Sequence, residues 1–278
     1  MQEQRSFSVI RGVGTLVFVA SVAVPGMAQE HDDQSKPLVL PSVFQAAGPT
    51  LASIQSSVDQ YRAALGAVNN GNNPGPRDSG RREINWDGGG STATSPGSTP
   101  FTVFLNTRGA NITTPGTGFV QAPREGLATT FGNLTYASIF QAFSPVRLFS
   151  PLGSNKTEVE FFQPGSGSDI PATTTGFGAV FSDVDRPNGS GPLGRIGNLL
   201  ASTHIEYFDK DGDLLFVGVV PASPGDASLS FFGIVFGDAR IARVKITTGD
   251  RAPGGNDTRR RDIVMMDDFL YGEPKAIQ

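Results

Sequence analysis

HIEYFDKDGDLLFVG, residues 204–218, sets two apolar, alternating runs on either side of Asp209-Lys210-Asp211-Gly212-Asp213. Aspartates at alternate positions invite a calcium-loop reading. An EF-hand starting at Asp209 needs glycine at its sixth position and glutamate at its twelfth, where Leu214 and Val220 stand, so the template fails. Asp-Gly between apolar runs is instead a hairpin signal, and it predicts a two-residue type I′ turn at Asp211-Gly212. That register sets Lys210 opposite Asp213 as a cross-strand charge pair.

Working outward, strand-like segments recur from Phe101 onward, each bounded by turn residues: FTVFLN, GFVQA, LTYASIFQAF, VRLFS, EVEFFQP, TGFGAVFSDVD, SFFGIVF, ARIARVKITTG and IVMMDDFLYG. Short strands without intervening helical periodicity point to an all-β sandwich over 101–273, with 274–278 as a tail. The abundance of Gly (35), Pro (20) and Phe (20) fits many short strands joined by tight turns. Between 50 and 100, TLASIQSSVDQYRAALG carries apolar residues at Leu51, Ile54, Val58, Tyr61 and Leu65, the spacing of one helical face, with Thr50 to cap it and Gly66 to end it in the left-handed conformation. This amphipathic helix is expected to pack on the sandwich. The rest of that stretch is Gly/Asn/Pro-rich loop around one strand, REINWDG.

Residues 1–28 read as an export signal: Arg5 and Arg11, a short apolar core, and small residues before Gln29. Residues 29–49 read as a flexible N-terminal arm. The apolar run is too short to span a bilayer and no later stretch is a candidate, so the expected location is secreted or periplasmic, with no membrane span once the signal is removed. The formal charge of −4 and basic clusters that each sit beside acids argue against nucleic acid as a partner. With no cysteine, the fold must rest on core burial. Sequons at Asn111, Asn133, Asn155, Asn188 and Asn256 are also ordinary turn chemistry.

Four carboxylates are candidate metal ligands. Asp183 and Asp185 in FSDVD share a face if the strand continues, whereas the adjacent Asp267 and Asp268 must face opposite ways in a regular strand. An aspartate driven into an apolar strand is costly unless paired or bound to a cation. Either one of Asp267 and Asp268 caps loop amides or pairs with an arginine such as Arg243 while the other is solvated, or Asp183, Asp185 and Asp267 or Asp268, with loop carbonyls, form an oxygen cage for calcium. Trp86, the only tryptophan, is either a sugar-stacking platform or core filler.

TTTGFGAVFSDVD, IEYFDKDGDLL, SFFGIVF, ARIARVKITTG and IVMMDDFLYGEP, in that order, resemble the C-terminal jelly-roll of exported bacterial proteins of the PEP-CTERM type, similar in layout to galactose-binding-like, carbohydrate-binding sandwiches. SGRREINWDG with TTPGTGF resembles the N-terminal half of other bacterial secreted proteins. The resemblance covers roughly residues 50–273 and implies a jelly-roll and bacterial export. It also implies a structural calcium site using a late-strand aspartate, which Asp267 or Asp268 matches. The sorting anchor of that class, an apolar segment with a basic tail, has no counterpart after YGEP.

Catalytic signatures are sparse. His31 and His204 are the only histidines, no G-x-S-x-G elbow occurs, and no phosphate-binding or dinucleotide fingerprint is present. A paired-carboxylate glycosidase needs only two acids, for which Glu158, Glu160 and Glu206 lie on strand candidates. The expected function is a secreted, non-catalytic module, calcium-stabilised, binding carbohydrate or another extracellular polymer. The alternatives are a structural or adhesive envelope protein and a carboxylate-dependent glycan hydrolase.

Overall fold

The computed structural model describes residues 39–88, 90–167, 169–186, 203–255 and 261–277, which belong to one compact unit, Val39–Gln278. The export signal, residues 29–38 of the arm, His31 and the sequons at Asn188 and Asn256 lie outside the described residues.

In chain order the elements are β1 (Ser42–Gly48), α1 (Leu51–Leu65), β2 (Arg81–Ile84), β3 (Ser95–Gly97), α2 (Leu105–Arg108), β4 (Ala110–Thr113), β5 (Gly118–Ala122), α3 (Arg124–Phe131) and α4 (Tyr136–Ile139). There follow β6 (Leu148–Leu152), β7 (Lys156–Phe161), β8 (Ala172–Thr173), β9 (Gly176–Ser182), β10 (His204–Phe208), β11 (Leu214–Val219), β12 (Leu229–Val235), β13 (Arg243–Thr247), β14 (Met265–Gly272) and β15 (Lys275–Ala276). The larger sheet has the order β1-β12-β9-β14-β6-β5-β3, with β2 also paired to β14. The smaller runs β11-β10-β13-β7-β4, and β15 pairs separately with β8. The chain is thus mostly β, in antiparallel sheets.

Strand alternation builds the core. Ile205, Tyr207, Val244, Ile246 and Val159 of the smaller sheet share one buried cluster with Phe177, Phe181, Phe232, Ile234 and Phe269 of the larger. The opposite face of the larger sheet is covered twice. Against one part, α1 buries Ile54, Val58, Tyr61 and Leu65 on Val180, Leu229, Phe231 and Leu270. Against another, Leu127, Tyr136 and Phe140 of the α3–α4 region pack on Val120, Leu148 and Met265. The α1 contact needs glycine: Gly178 and Gly233 are cross-strand partners, and a Cβ on either would come within 2.8–2.9 Å of the Tyr61 ring. The Tyr61 hydroxyl, lying over this bare backbone, donates to the Ile234 carbonyl at 3.2 Å.

Several expectations are corrected. Ser42–Gly48, assigned to the flexible arm, is the edge strand of the larger sheet, paired with β12. LTYASIFQAF is not a strand; Tyr136 and Phe140, one helical turn apart, bring its aromatic rings together over β5 and β6. FTVFLN contributes only a bridge, Phe101 with Ile112, before α2 begins. Gly66 ends α1 at φ 134° and ψ 137°, outside the left-handed helical region. The 204–219 hairpin forms, but its turn is not type I′: Gly212 alone has positive φ, the Gly212 amide donates to the Asp209 carbonyl, and Asp209 Oδ1 accepts the Asp211 and Asp213 amides, each at 2.9 Å. Lys210 consequently pairs with Asp211 instead of Asp213.

One buried ion pair fixes the glycine-rich loop before β2. Arg82 and Glu273 are almost fully enclosed and meet at 2.6 Å, and Asn70 Nδ2 donates to the same carboxylate at 2.8 Å. The rest of the guanidinium donates to the carbonyls of Asn70, Gly71, Asn73, Gly75 and Thr107. A charge so deeply enclosed is tolerable because every face of the fork is occupied. Arg82→Met leaves Glu273 buried without its cation and frees the loop carbonyls. The expected loss is about 3–5 kcal/mol by urea unfolding, and a loss below about 1 kcal/mol contradicts this role.

Candidate functional site

The course of β14 is decided by a bulge. Met266 pairs with Phe181 and Phe269 with Ala179 on β9, so β14 carries one extra residue in this interval, at Asp267–Asp268. On the other edge of β14, β6 pairs at Met266 and β2 takes over at Phe269, leaving the bulge in the gap between them. The Asp267 carbonyl accepts the Trp86 indole N–H at 2.9 Å.

Trp86 follows β2 closely and has φ 64°, which turns its ring inward. It is 1% exposed and stacked on Phe149, with centroids 3.6 Å apart, and it meets Phe269 and Phe104 edge-on. The next residue, Asp87, accepts the Val146 and Arg147 amides on one carboxylate oxygen, and Arg147 donates back to the Trp86 carbonyl. Trp86 is therefore core, and the sugar-platform reading is corrected: its stacking face is already taken by Phe149.

The bulge also corrects the expectation that Asp267 and Asp268 face opposite ways. Both carboxyls turn toward the face of the sheet covered by α1, where they are 0% and 2% exposed and reach the same hydroxyl, Ser144 Oγ, at 3.1 and 2.7 Å. Asp267 Oδ2 accepts the Phe143 amide at 2.6 Å. Asp268 Oδ2 lies 3.5 Å from Arg62 of α1, whose guanidinium also binds Glu83 of β2 at 2.9 Å and Asp59 at 3.2 Å. Burial, with the neighbouring Asp268 charge adding to it, holds the Asp267 carboxyl well above the usual carboxylate range against the Phe143 and Ser144 hydrogen bonds. Burial likewise pushes Asp268 up to about 6, with Ser144, Asp267 and Arg62 opposing the rise.

Asp183 and Asp185 belong to a different constellation. Asp183, at φ 71°, donates its amide to the Ser228 carbonyl as the chain leaves β9. The Asp185 amide donates to Asp262 Oδ1 and its carboxylate accepts the Gly225 amide. Burial, with the charges of Asp185 and Asp250, pushes Asp262 up to about 7. Asp267 and Asp268 thus share Ser144, whereas Asp185 is engaged with Asp262 and Gly225. Among the described residues no group of three or more His, Asp or Glu side chains is arranged to hold a metal.

The outer face of the smaller sheet was not singled out from sequence as a unit. Residues alternating with the core strands form two cross-strand rows. One runs Val217–Glu206–Lys245–Glu158–Thr113 and the other Leu214–Phe208–Arg243–Glu160–Asn111. Arg243 and Lys245 lie over the Phe208 ring at 4.7 and 5.2 Å and bracket Glu158 at 3.6 and 3.7 Å. Arg243 and Glu158 are about one-quarter exposed, Lys245 and Val217 more, and Leu214 is 54% exposed. Glu158, Glu160 and Glu206 are brought to one face, but side by side on an open sheet, not opposed across a cleft as a glycosidase pair requires.

No protein-family model, curated protein or solved structure matches the chain. No described helix is long and apolar enough to cross a membrane.

As the sole tryptophan, Trp86 reports its own burial. Its emission is expected to be blue-shifted, resistant to acrylamide quenching and unchanged by added oligosaccharide, and Trp86→Ala is expected to cost about 3–5 kcal/mol. Strong quenching, or a shift of emission on adding sugar, contradicts the core assignment.

Proposed function

We propose that the chain is an exported, non-catalytic β-sandwich of the jelly-roll kind that binds an extracellular polysaccharide through the outer face of its smaller sheet. Two features support the jelly-roll reading. Successive strands β9 to β14 cross repeatedly between the sheets, and most neighbours in each sheet are not consecutive in the chain. The composition of the exposed face supports the ligand class. Sugars are recognised by planar donors and acceptors beside an aromatic or aliphatic surface, and Arg243, Lys245, Glu158, Glu160 and Asn111 around Phe208 supply that mixture on a rigid ladder.

The observation that carries the reading is the pairing of Arg243 and Lys245 with both Phe208 and Glu158. Exposed ion pairs contribute little to stability, so this cluster is not needed to hold the sheet together. Calcium is not required by the reading, because the face contains its own cations. The runner-up, a structural envelope protein without a small ligand, uses the same exposed face for protein contact.

Co-sedimentation with cellulose, chitin and peptidoglycan sacculi tests the proposal, using the chain without residues 1–28. The expected result is retention on at least one polymer. Arg243→Ala/Lys245→Ala is expected to weaken retention about tenfold, roughly 1.4 kcal/mol, with the melting temperature nearly unchanged. Absence of retention on all three, or equal retention of the variant, overturns it.

A further inference from the structure

The corner where β14, α1 and residues 143–146 meet has more acceptors than protons. Ser144 Oγ lies 2.7 Å from Asp268 Oδ1, 3.1 Å from Asp267 Oδ1 and 3.3 Å from the Asn85 carbonyl. A serine hydroxyl carries one proton and can donate to one of these three. With both aspartates ionised, the other contacts set lone pair against lone pair at carboxyls that are 0% and 2% exposed. A proton on the carboxyl pair resolves the count: one carboxyl donates to its neighbour or to Ser144, and the hydroxyl proton serves another acceptor.

The charges facing the pair do not supply a substitute. From α1 comes Arg62, already engaged by Asp59 and Glu83. From β2 comes Glu83, whose other cation, Arg81, binds it at 2.6 Å. The neighbouring strands β6 and β9 contain no charged residue, and residues 143–146 bring only the Phe143 amide and Ser144. One guanidinium, that of Arg62, is thus shared among Asp268, Glu83 and Asp59. Full ionisation of the pair is disfavoured by both burial and count.

We propose that Asp267 and Asp268 together hold one proton at neutral pH, and that this proton latches residues 143–146 and the Arg62 edge of α1 onto the β14 bulge, so that raising the pH opens this corner. The device is independent of any ligand on the smaller sheet. The bulge is what makes it possible, since a regular strand sends adjacent side chains to opposite faces. The sign follows from linkage. A carboxyl whose pKa is higher in the folded chain than in the unfolded one stabilises most below the ordinary carboxylate range, and that contribution is lost as the pH rises through the folded value. The loss therefore begins near the ordinary carboxylate value of about 4 and continues as the pH rises through about 6, the value of Asp268, and beyond it for Asp267.

Urea unfolding of the wild type and Asp267→Asn from pH 5 to pH 9 tests the latch. The amide keeps the acceptor for the Phe143 N–H and brings its own donor to Ser144 or Asp268 at every pH. The folding equilibrium constant of D267N relative to wild type is expected to rise at least tenfold from pH 5 to pH 9. Asp262, pushed up to about 7 in another part of the fold, acts alike in both proteins and cancels. Parallel pH profiles overturn the proposal. Should D267N fail to fold, amide hydrogen exchange of the wild type, corrected for the intrinsic pH dependence, decides alone. Protection across 140–146 is expected to fall with rising pH while the central strands β9 and β12 keep theirs; protection there that is constant from pH 5 to 9 overturns it.

Discussion

The extra residue in β14 is the constraint on which the rest of this fold depends. It sits where the partner of β14 changes from β6 to β2, and it frees one carbonyl from the ladder and sends two adjacent carboxyls to the same face. Each consequence is met by a different part of the chain. The carbonyl goes to the indole of Trp86, which needs a left-handed backbone to reach it and a cage of phenylalanines to be held there. The carboxyls go to the Phe143 amide, Ser144 and Arg62. One irregularity thereby ties the two-sheet core to the helix and to the 143–146 segment that cover its outer side.

The two faces of the molecule differ accordingly. The central strands of the larger sheet are covered on both sides, by the shared core and by α1 with the α3–α4 region. The smaller sheet has a core side and an open side, and its open side carries charges whose mutual distances, 3.6–3.7 Å, are those of loose, solvated pairs.

Much of the architecture was legible in the sequence. The spacing of Ile54, Val58, Tyr61 and Leu65 marks the face that α1 buries, and turn-bounded apolar runs mark β9, β12, β13 and β14. Less legible were elements whose stability comes from tertiary contact. REGLATTF, with a glycine inside and few apolar residues, is helical because Leu127 and Ala128 bury against β5 and β6. SVFQAAG forms a strand because β12 offers it an edge. At the candidate sites, composition singled out the aspartates but could not register the bulge, since strand period assumes that successive residues alternate. It left Trp86 between core filler, which it is, and an exposed platform, because no local signal encodes a stacking partner, Phe149, sixty-odd residues later in the chain. The rows on the smaller sheet were hidden for a related reason: Phe208, Arg243 and Glu160 become neighbours only through strand pairing.

The measurement that bears most directly on the account is a carbon-13 NMR titration of the aspartate carboxyl carbons, with Asp267 and Asp268 assigned. A bulge that forces two buried carboxyls onto one hydroxyl requires them to titrate as a coupled pair, with at least one proton retained well above the ordinary carboxylate range of about 4. Two independent transitions near that ordinary value would show that both carboxyls are solvated or separately paired. In that case the bulge would be a local irregularity and not the point from which this part of the fold is held.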